Sequence, residues 1–459
     1  MAENNPKSAP EAIWPGLEAG VPKPLMPYSP AIKAGGWVFI AGQLASDFKT
    51  GIAPQAIPRN PYAENELQLQ SRYVLNNLAN TIEATGCDIN RDMVRMWEWF
   101  AAPDPAQAAF ARGDNWTGIN IDPYLEERRA VINGPCPPVS ATGIQELMCL
   151  GTKLEIDMIC FDDDEEPVCY GLPEGRSQGA GGHAPALRRG DWVFLAAESP
   201  VDWDGGSPGL TQSGEPYTIA DEALTNPNYW MGEPVERQTD YVLEKLAGIA
   251  ALAGSSLENT VKADVYIGHP RDFAAVDRVW RRWFPDNPPA RVVNPYMGMG
   301  VRGCRVEIAL TLLADDAAVK KQTIETSEAP EPLGHEPQAV KAGDFLFFST
   351  QMAFDSSGKL ADGMSRHPNF RWYGSPAQAQ MRYMMKNVAA ISEAAGTSVE
   401  NICRRVCFHD DLQWFAESIE EWARHFPGDR PASTTIGLHG PLVVPGANTL
   451  LDLIAYAPG

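Results

Sequence analysis

Long apolar runs, closely paired cysteines and basic charge are scarce in this sequence, and each scarcity narrows the function. No stretch approaches the roughly 18 uninterrupted apolar residues that a membrane-spanning helix needs, so no span is expected. The opening Met1-Ala2-Glu3-Asn4-Asn5-Pro6 lacks the basic and apolar regions of a secretory signal, which makes the cytoplasm the expected compartment. The 8 cysteines include no CxxC pair; Cys403 and Cys407 come nearest and lack a matching His/Cys set. Free, mostly buried thiols are therefore expected instead of a metal site or a disulfide framework. Lys and Arg number 37 against 59 Asp and Glu, a net charge of -22. A surface that acidic repels phosphate backbones, so nucleic acid is not an expected partner. A Gly-rich phosphate loop, a Gly-x-Ser-x-Gly elbow and a metal-ligand cluster are all missing, and no metal or cofactor is expected.

Apolar material is plentiful. Hydrophobic residues make up 44% of the chain, with 13 Trp, 13 Tyr and 16 Phe, enough for large cores and incompatible with disorder throughout. At about 150 residues per domain, 459 residues predict about three domains.

Internal similarity sets the organisation. Three segments open alike: Tyr28-Ser29-Pro30-Ala31 leads into Trp37-Val38-Phe39-Ile40, His183-Ala184-Pro185-Ala186 into Trp192-Val193-Phe194-Leu195, and His335-Glu336-Pro337-Gln338 into Phe345-Leu346-Phe347-Phe348. Each reads as a Gly-containing turn entering a short apolar strand. A long amphipathic helix follows in each copy, ending at Gly86, Gly254 and Gly396, where a left-handed C′ residue is expected. Met381, Met384 and Met385 then read as core packing. Next comes a strand (Val94 to Trp99, Val261 to Ile267, Arg404 to Phe408) and a second helix, clear at Phe273 to Phe284 and Trp414 to Phe426. The first copy is irregular from Ala101 to Arg129, where that helix belongs. Final apolar strands run Lys153 to Cys160, Arg305 to Leu313 and Thr449 to Tyr456. The unit is α+β with helices on one face.

The predicted organisation is an extension at 1–24, domains at 25–160, 183–315 and 335–459, and linkers at 161–182 and 316–334. The acidic run Asp162-Asp163-Asp164-Glu165-Glu166 reads as a solvated linker before a cation site. A polar insertion, Asp202 to Glu236, interrupts the second copy, either covering a site or decorating the surface.

The opening at Tyr28 to Gln43, the Gly-terminated helix and the close at Pro289 to Ile308 resemble the RidA/YjgF/UK114 (Rid) family of enamine/imine deaminases, three times over. The resemblance implies a chorismate-mutase-like α+β fold that normally forms a homotrimer, with sheets inside and ligand clefts between subunits. Three copies on one chain then imply an intramolecular pseudo-trimer, with further self-association left open.

The family's substrate-anchoring arginine maps to Arg291, which would hold a carboxylate bidentately; its alternative is a surface salt bridge. Ser140 and Ser433 stand at the corresponding places and cannot supply the charge. The family's water-positioning glutamate maps to Glu307 and Glu155; the third copy has Leu450, with Asp452 two positions on. Tyr28, His183 and His335 share the opening-turn position, and the histidines are either general acid–base groups or packed in turns. Asp277 and Ile419 align with a helix-two asparagine of close relatives. His439 sits in a loop where a cleft wall is expected, and Cys304 reads as packing. The family's Ser-Gly after the first strand becomes Ala41-Gly42, Ala196-Ala197 and Ser349-Thr350. These departures count against the usual small 2-aminoacrylate-type imine as the substrate.

The expected function is hydrolysis of a C–N bond in a small carboxylate-bearing substrate, an imine or enamine deamination releasing ammonia. In this reading Arg291 and Glu307 share the second-copy cleft, Tyr28 or Glu155 lends a facing wall, and the third copy is structural. Two alternatives stand beside it. One is an amide- or ring-opening hydrolase of pseudo-threefold build, like the cyanuric acid hydrolase and barbiturase group, whose Ser–Lys pairs are not evident. The other is a non-catalytic metabolite-binding or scaffold protein. An endoribonuclease role fits poorly with the acidic charge.

Overall fold

The computed structural model describes residues 9–102, 116, 118–176, 179, 181–201, 203, 219–225, 233–366, 369 and 374–459. The first copy contains β1 (Glu11–Ile13), β2 (Ala31–Ala34), β3 (Trp37–Leu44), α1 (Glu66–Ala84), β4 (Met93–Ala101), α2 (Asp122–Val131), β5 (Val139–Ile144), β6 (Glu146–Leu147) and β7 (Leu154–Phe161). The second contains β8 (Val168–Tyr170), β9 (Ala186–Arg189), β10 (Trp192–Glu198), α3 (Pro234–Leu252), β11 (Thr260–Ile267), α4 (Phe273–Trp283), β12 (Ala290–Asn294) and β13 (Val306–Leu313). The third contains β14 (Lys321–Ile324), β15 (Ala339–Ala342), β16 (Phe345–Phe348), α5 (Pro376–Ala394), β17 (Ile402–His409), α6 (Phe415–Ala423), β18 (Ala432–Gly437) and β19 (Thr449–Tyr456).

Each sheet repeats one order: opening hairpin, last strand, middle strand, then a short parallel strand. In the first it runs β2-β3-β7-β4-β5, in the second β9-β10-β13-β11-β12, and in the third β15-β16-β19-β17-β18. The long helices stop where Gly86, Gly254 and Gly396 take φ of 90°, 72° and 78°, a left-handed turn that costs glycine nothing. Asn65 and Ser375 cap the starts of α1 and α5 by accepting the N–H of Gln68 and Gln378.

Two expectations need correction. The first copy does have a second helix: α2 occupies the end of the stretch read as irregular, its start set by Pro123 rather than by a capping side chain. The linkers are not plain coil either. β8 and β14 lie within them and each adds an edge strand to the following opening hairpin, as β1 does for the first copy. Residues 103–115 and most of the polar insertion lie outside the described residues. Among those described, no helix is long and apolar enough to cross a membrane.

The copies meet through their sheets. Trp37 lies 4.8 Å from Trp192 and 4.5 Å from Phe345, ring centre to ring centre, so the three opening strands share one aromatic cluster. Trp99 likewise meets Tyr266 and Phe408 at 6.3 and 5.6 Å. Between these clusters along β7 sits Asp157, part of a buried ionic chain drawn from all three copies. Arg404 reaches Asp157 and Asp452 at 3.0 Å each, Lys262 reaches Asp452 at 2.6 Å and Asp264 at 3.3 Å, and Arg95 approaches Asp264 at 3.9 Å. Three cations face three carboxylates, so the layer is neutral, as burial demands. One apolar core spans all three copies, and the helix sides of the first and third copies have cores of their own.

Candidate functional site

A cavity of about 370 Å³ opens between the third and first copies. The first copy contributes Tyr28, Gly42, Leu44 and Glu155, with the 46–51 and 148–150 loops; the third contributes Arg405, Phe415, Ile419, Ser433 and Thr435. Two docking contacts hold the walls together. The Ser29 N–H donates to the Pro431 carbonyl at 3.3 Å, and β6 pairs with β18 through Leu147 and Ile436.

Glu155 opposes Leu44 across the β3–β7 ladder, beside a register shift between Ile40 and Gln43. Gly42 sits in that irregularity, and a Cβ there would overlap the Glu155 carboxylate, so glycine is what lets the acid lie flat against β3. Burial first, then the charge of Asp157, raise the Glu155 carboxyl well above the ordinary carboxylate range, while the Thr435 N–H pulls the other way. Its Oε2 has no hydrogen-bond partner. Burial and the Glu155 charge also push the Tyr28 phenol up, so it stays protonated.

Arg405 is the residue the sequence reading passed over. It lies on β17, in register with Ser433 on β18, and its Nη1 donates to Ser433 Oγ at 2.7 Å. The guanidinium carbon lies 4.9 Å from the centre of the Trp422 ring. Its Nε and Nη2 have no hydrogen-bond partner, although the side chain is buried. In the second copy Ala263 opposes Arg291 at the matching register. The charge has therefore moved one strand inward in the third copy, from the short strand to its neighbour, and still packs under the second helix: Arg291 lies over Phe273 and Trp280 of α4. A signal was available. Arg404 and Arg405 are adjacent in an otherwise apolar strand, so alternation sends one to each face of the sheet.

Two other buried arginines are already answered by carboxylate. Arg291 is fully buried, and its Nη2 donates to Asp277 at 2.6 Å and Glu336 at 2.5 Å. Burial raises both acids, yet the Arg291 charge carries Asp277 to a net lowering while the more deeply buried Glu336 stays raised. Asp277 also accepts from Arg281 at 3.0 Å and from the His335 N–H at 2.8 Å. Between the first and second copies, Arg128 of α2 pairs with Glu98 at 2.7 Å, and Tyr124 also donates to Glu98.

The remaining expected residues fall as follows. Arg291 and Glu307 are not brought together: they lie on β12 and β13, on opposite sides of β11, and their partners Ala263 and Tyr266 are three residues apart along it, a separation of about 14 Å. Glu307 is pushed up to about 8 by burial and then by Glu198, which is itself held by Lys245 at 2.7 Å. His183 is half-buried, and desolvation, with the charges of Arg128, Arg95 and Lys245, pulls it down to about 3, so its ring is neutral at pH 7. The His335 ring has Nε2 2.6 Å from the Phe284 carbonyl. Ser140 Oγ accepts from Arg95, mirroring Ser433 and Arg405, but Arg95 belongs to the ionic layer. His439 is half-buried after β18 and does not line the cavity.

Comparison with known proteins agrees with the threefold repeat. The family described as Endoribonuclease L-PSP matches residues 19–161, 179–313 and 326–440. The chain belongs to this family, as a three-copy RidA-like protein. A RutC family protein of Pyrococcus horikoshii is 32% identical over 117 residues, 25% of this chain and 83% of the relative. One from Aquifex aeolicus is 33% identical over 118 residues, 25% and 84% of the two chains. The chloroplastic Reactive Intermediate Deaminase A of Arabidopsis thaliana is 26% identical over 126 residues, 27% of this chain and 61% of that protein. Among solved structures, RidA from an Antarctic Psychrobacter is 28% identical with a TM-score of 0.25, covering 29% of this chain and 98% of its own. The matched segment spans about four-fifths of the length of the two RutC relatives.

Proposed function

We propose that the protein is an imine/enamine deaminase, a hydrolase of C–N bonds, working as an intramolecular pseudo-trimer whose active cleft lies between the third and first copies. The observation that carries this reading is Arg405. Unlike the buried Arg291 and Arg128, it meets no carboxylate, and it shares a cavity with a carboxyl raised by burial.

In this mechanism Arg405 Nε and Nη2 grip the substrate carboxylate as a planar fork, and Ser433 fixes the guanidinium. Glu155, protonated in the empty cleft, gives its proton to the imine nitrogen and sharpens the electrophilic carbon. The resulting carboxylate takes a proton from the attacking water. Glu155 then returns its proton to the amine, the C–N bond breaks as the C=O forms, and the hydroxyl proton passes back to the Glu155 carboxylate; imine and water become ketone and ammonia. Tyr28 donates a hydrogen bond to the new hydroxyl. Holding the groups in place does most of the work, since the imine carbon is already electrophilic. All eight cysteines are free, which suits the reducing cytoplasm as the place of action.

Coupling an amino-acid oxidase to ammonia detection tests the proposal. Wild type is expected to accelerate ammonia release from imino acids formed in situ, and Glu155→Gln to lower the rate by roughly 10²–10⁴-fold. No acceleration by wild type over a panel of imines overturns it.

A further inference from the structure

We infer that the cleft between the third and first copies selects a monocarboxylate bearing a ring-sized apolar group; the inference rests on the deaminase reading and names its substrate class. Arg405 is the buried cation on the cavity wall, and its Nε and Nη2 have no partner; Lys49 is exposed on the 46–51 loop, and Glu155 is the only acid among the described wall residues. A second substrate carboxylate drawn inside would find no second buried cation, so a dicarboxylate enclosed by the cavity is rejected by desolvation.

The wall opposite the charge is apolar. Ile419 stands on α6 where α4 carries Asp277, so the residue that closes the Arg291 cleft with a carboxylate is here a hydrocarbon surface. Phe415 and Leu44 extend that surface inward, and Leu25 and Leu150, 78% and 92% exposed, carry it out to the mouth. A volume of about 370 Å³ lies at the lower end of the range for drug-sized ligands. A three-carbon imino acid would leave most of that apolar surface wet; a ring on the β-carbon covers it. Exposed leucines at the rim are the surface such a group would shield.

Stable 2-oxo acids, which replace the C=N group with C=O, test this by calorimetry on the full chain. Phenylpyruvate is expected to bind at least tenfold more tightly than pyruvate or 2-oxoglutarate, with one site per chain. Arg405→Met should abolish that binding. Ile419→Asp, which leaves Arg405 in place and sets a carboxylate beside it, should weaken phenylpyruvate at least tenfold. Equal affinity for pyruvate, a preference for 2-oxoglutarate, or phenylpyruvate binding unchanged in both variants overturns the inference. The deaminase reading fails separately: tight, Arg405-dependent phenylpyruvate binding without ammonia release from the phenylalanine-derived imine refutes catalysis and leaves the ligand class standing. Turnover of the alanine-derived imine as fast as the phenylalanine-derived one does the reverse.

Discussion

Two glutamates at matching places on the last strands, Glu155 and Glu307, are both buried and both raised, yet they sit in different company. Glu155 shares its cavity with Arg405; Glu307 has Glu198 beside it. Their protonation predicts different pH effects. If Glu155 delivers a proton to the imine, the rate falls as pH rises through its raised pKa, and Glu155→Gln removes that alkaline limb along with most of the activity. For Glu307 the consequence is stability. Its folded pKa of about 8 lies above the unfolded carboxylate value, so the folded chain holds a proton that the unfolded chain has released. That contribution is fully present below about pH 4 and is lost as pH rises toward 8, on the order of a few kcal/mol. Glu307→Gln should flatten the fall in thermal midpoint between pH 5 and 8; an unchanged slope counts against the assigned burial.

At the scale of elements, the β3 irregularity and the β17–β18 pair build the cleft. Gly42→Ala would press a methyl group onto the Glu155 carboxylate, so turnover should drop at least tenfold while the thermal midpoint moves little. Restoring the second-copy pattern with Arg405→Ala and Ser433→Arg together tests whether the arginine position is interchangeable between neighbouring strands; partial binding of phenylpyruvate is expected where Arg405→Ala alone shows none. These elements also mark what sequence could reveal. The opening strands, C′ glycines and last strands were legible because each obeys a local rule, periodicity or left-handed backbone. Glu155 and Tyr28 could be named only through the family resemblance, by their place in the repeat. Arg405 was hidden because a cleft reads space and not alignment: a guanidinium on the adjacent strand at the same register reaches the same volume. Helix α2 was hidden because its start, Asp122-Pro123, follows a long irregular stretch and no side-chain cap announces it. Neutralisation of Arg291 by Glu336 is a contact between copies, which no reading of one copy contains.

Across the whole molecule, the buried ionic layer ties the copies together. Lys262, Arg404 and Arg95 meet Asp452, Asp157 and Asp264, with every copy supplying both signs. Such a layer does little for net stability over apolar packing, but it penalises misdocking, since any wrong register strands a charge. Asp452→Ala, which leaves both Lys262 and Arg404 short of a partner, should cost about 3–5 kcal/mol in chemical denaturation; a loss below 1 kcal/mol would mean that the layer relaxes or admits water. Covalent linkage lets the copies differ, and they do: Arg128 and Arg291 are closed by carboxylates, while Arg405 is left open. The most direct test compares Glu155→Gln with Glu307→Gln in the oxidase-coupled ammonia assay, with a phenylalanine-derived imine as substrate. Loss of turnover in Glu155→Gln and its retention in Glu307→Gln is the predicted result; the opposite pattern would move the active cleft to the second copy and contradict the account.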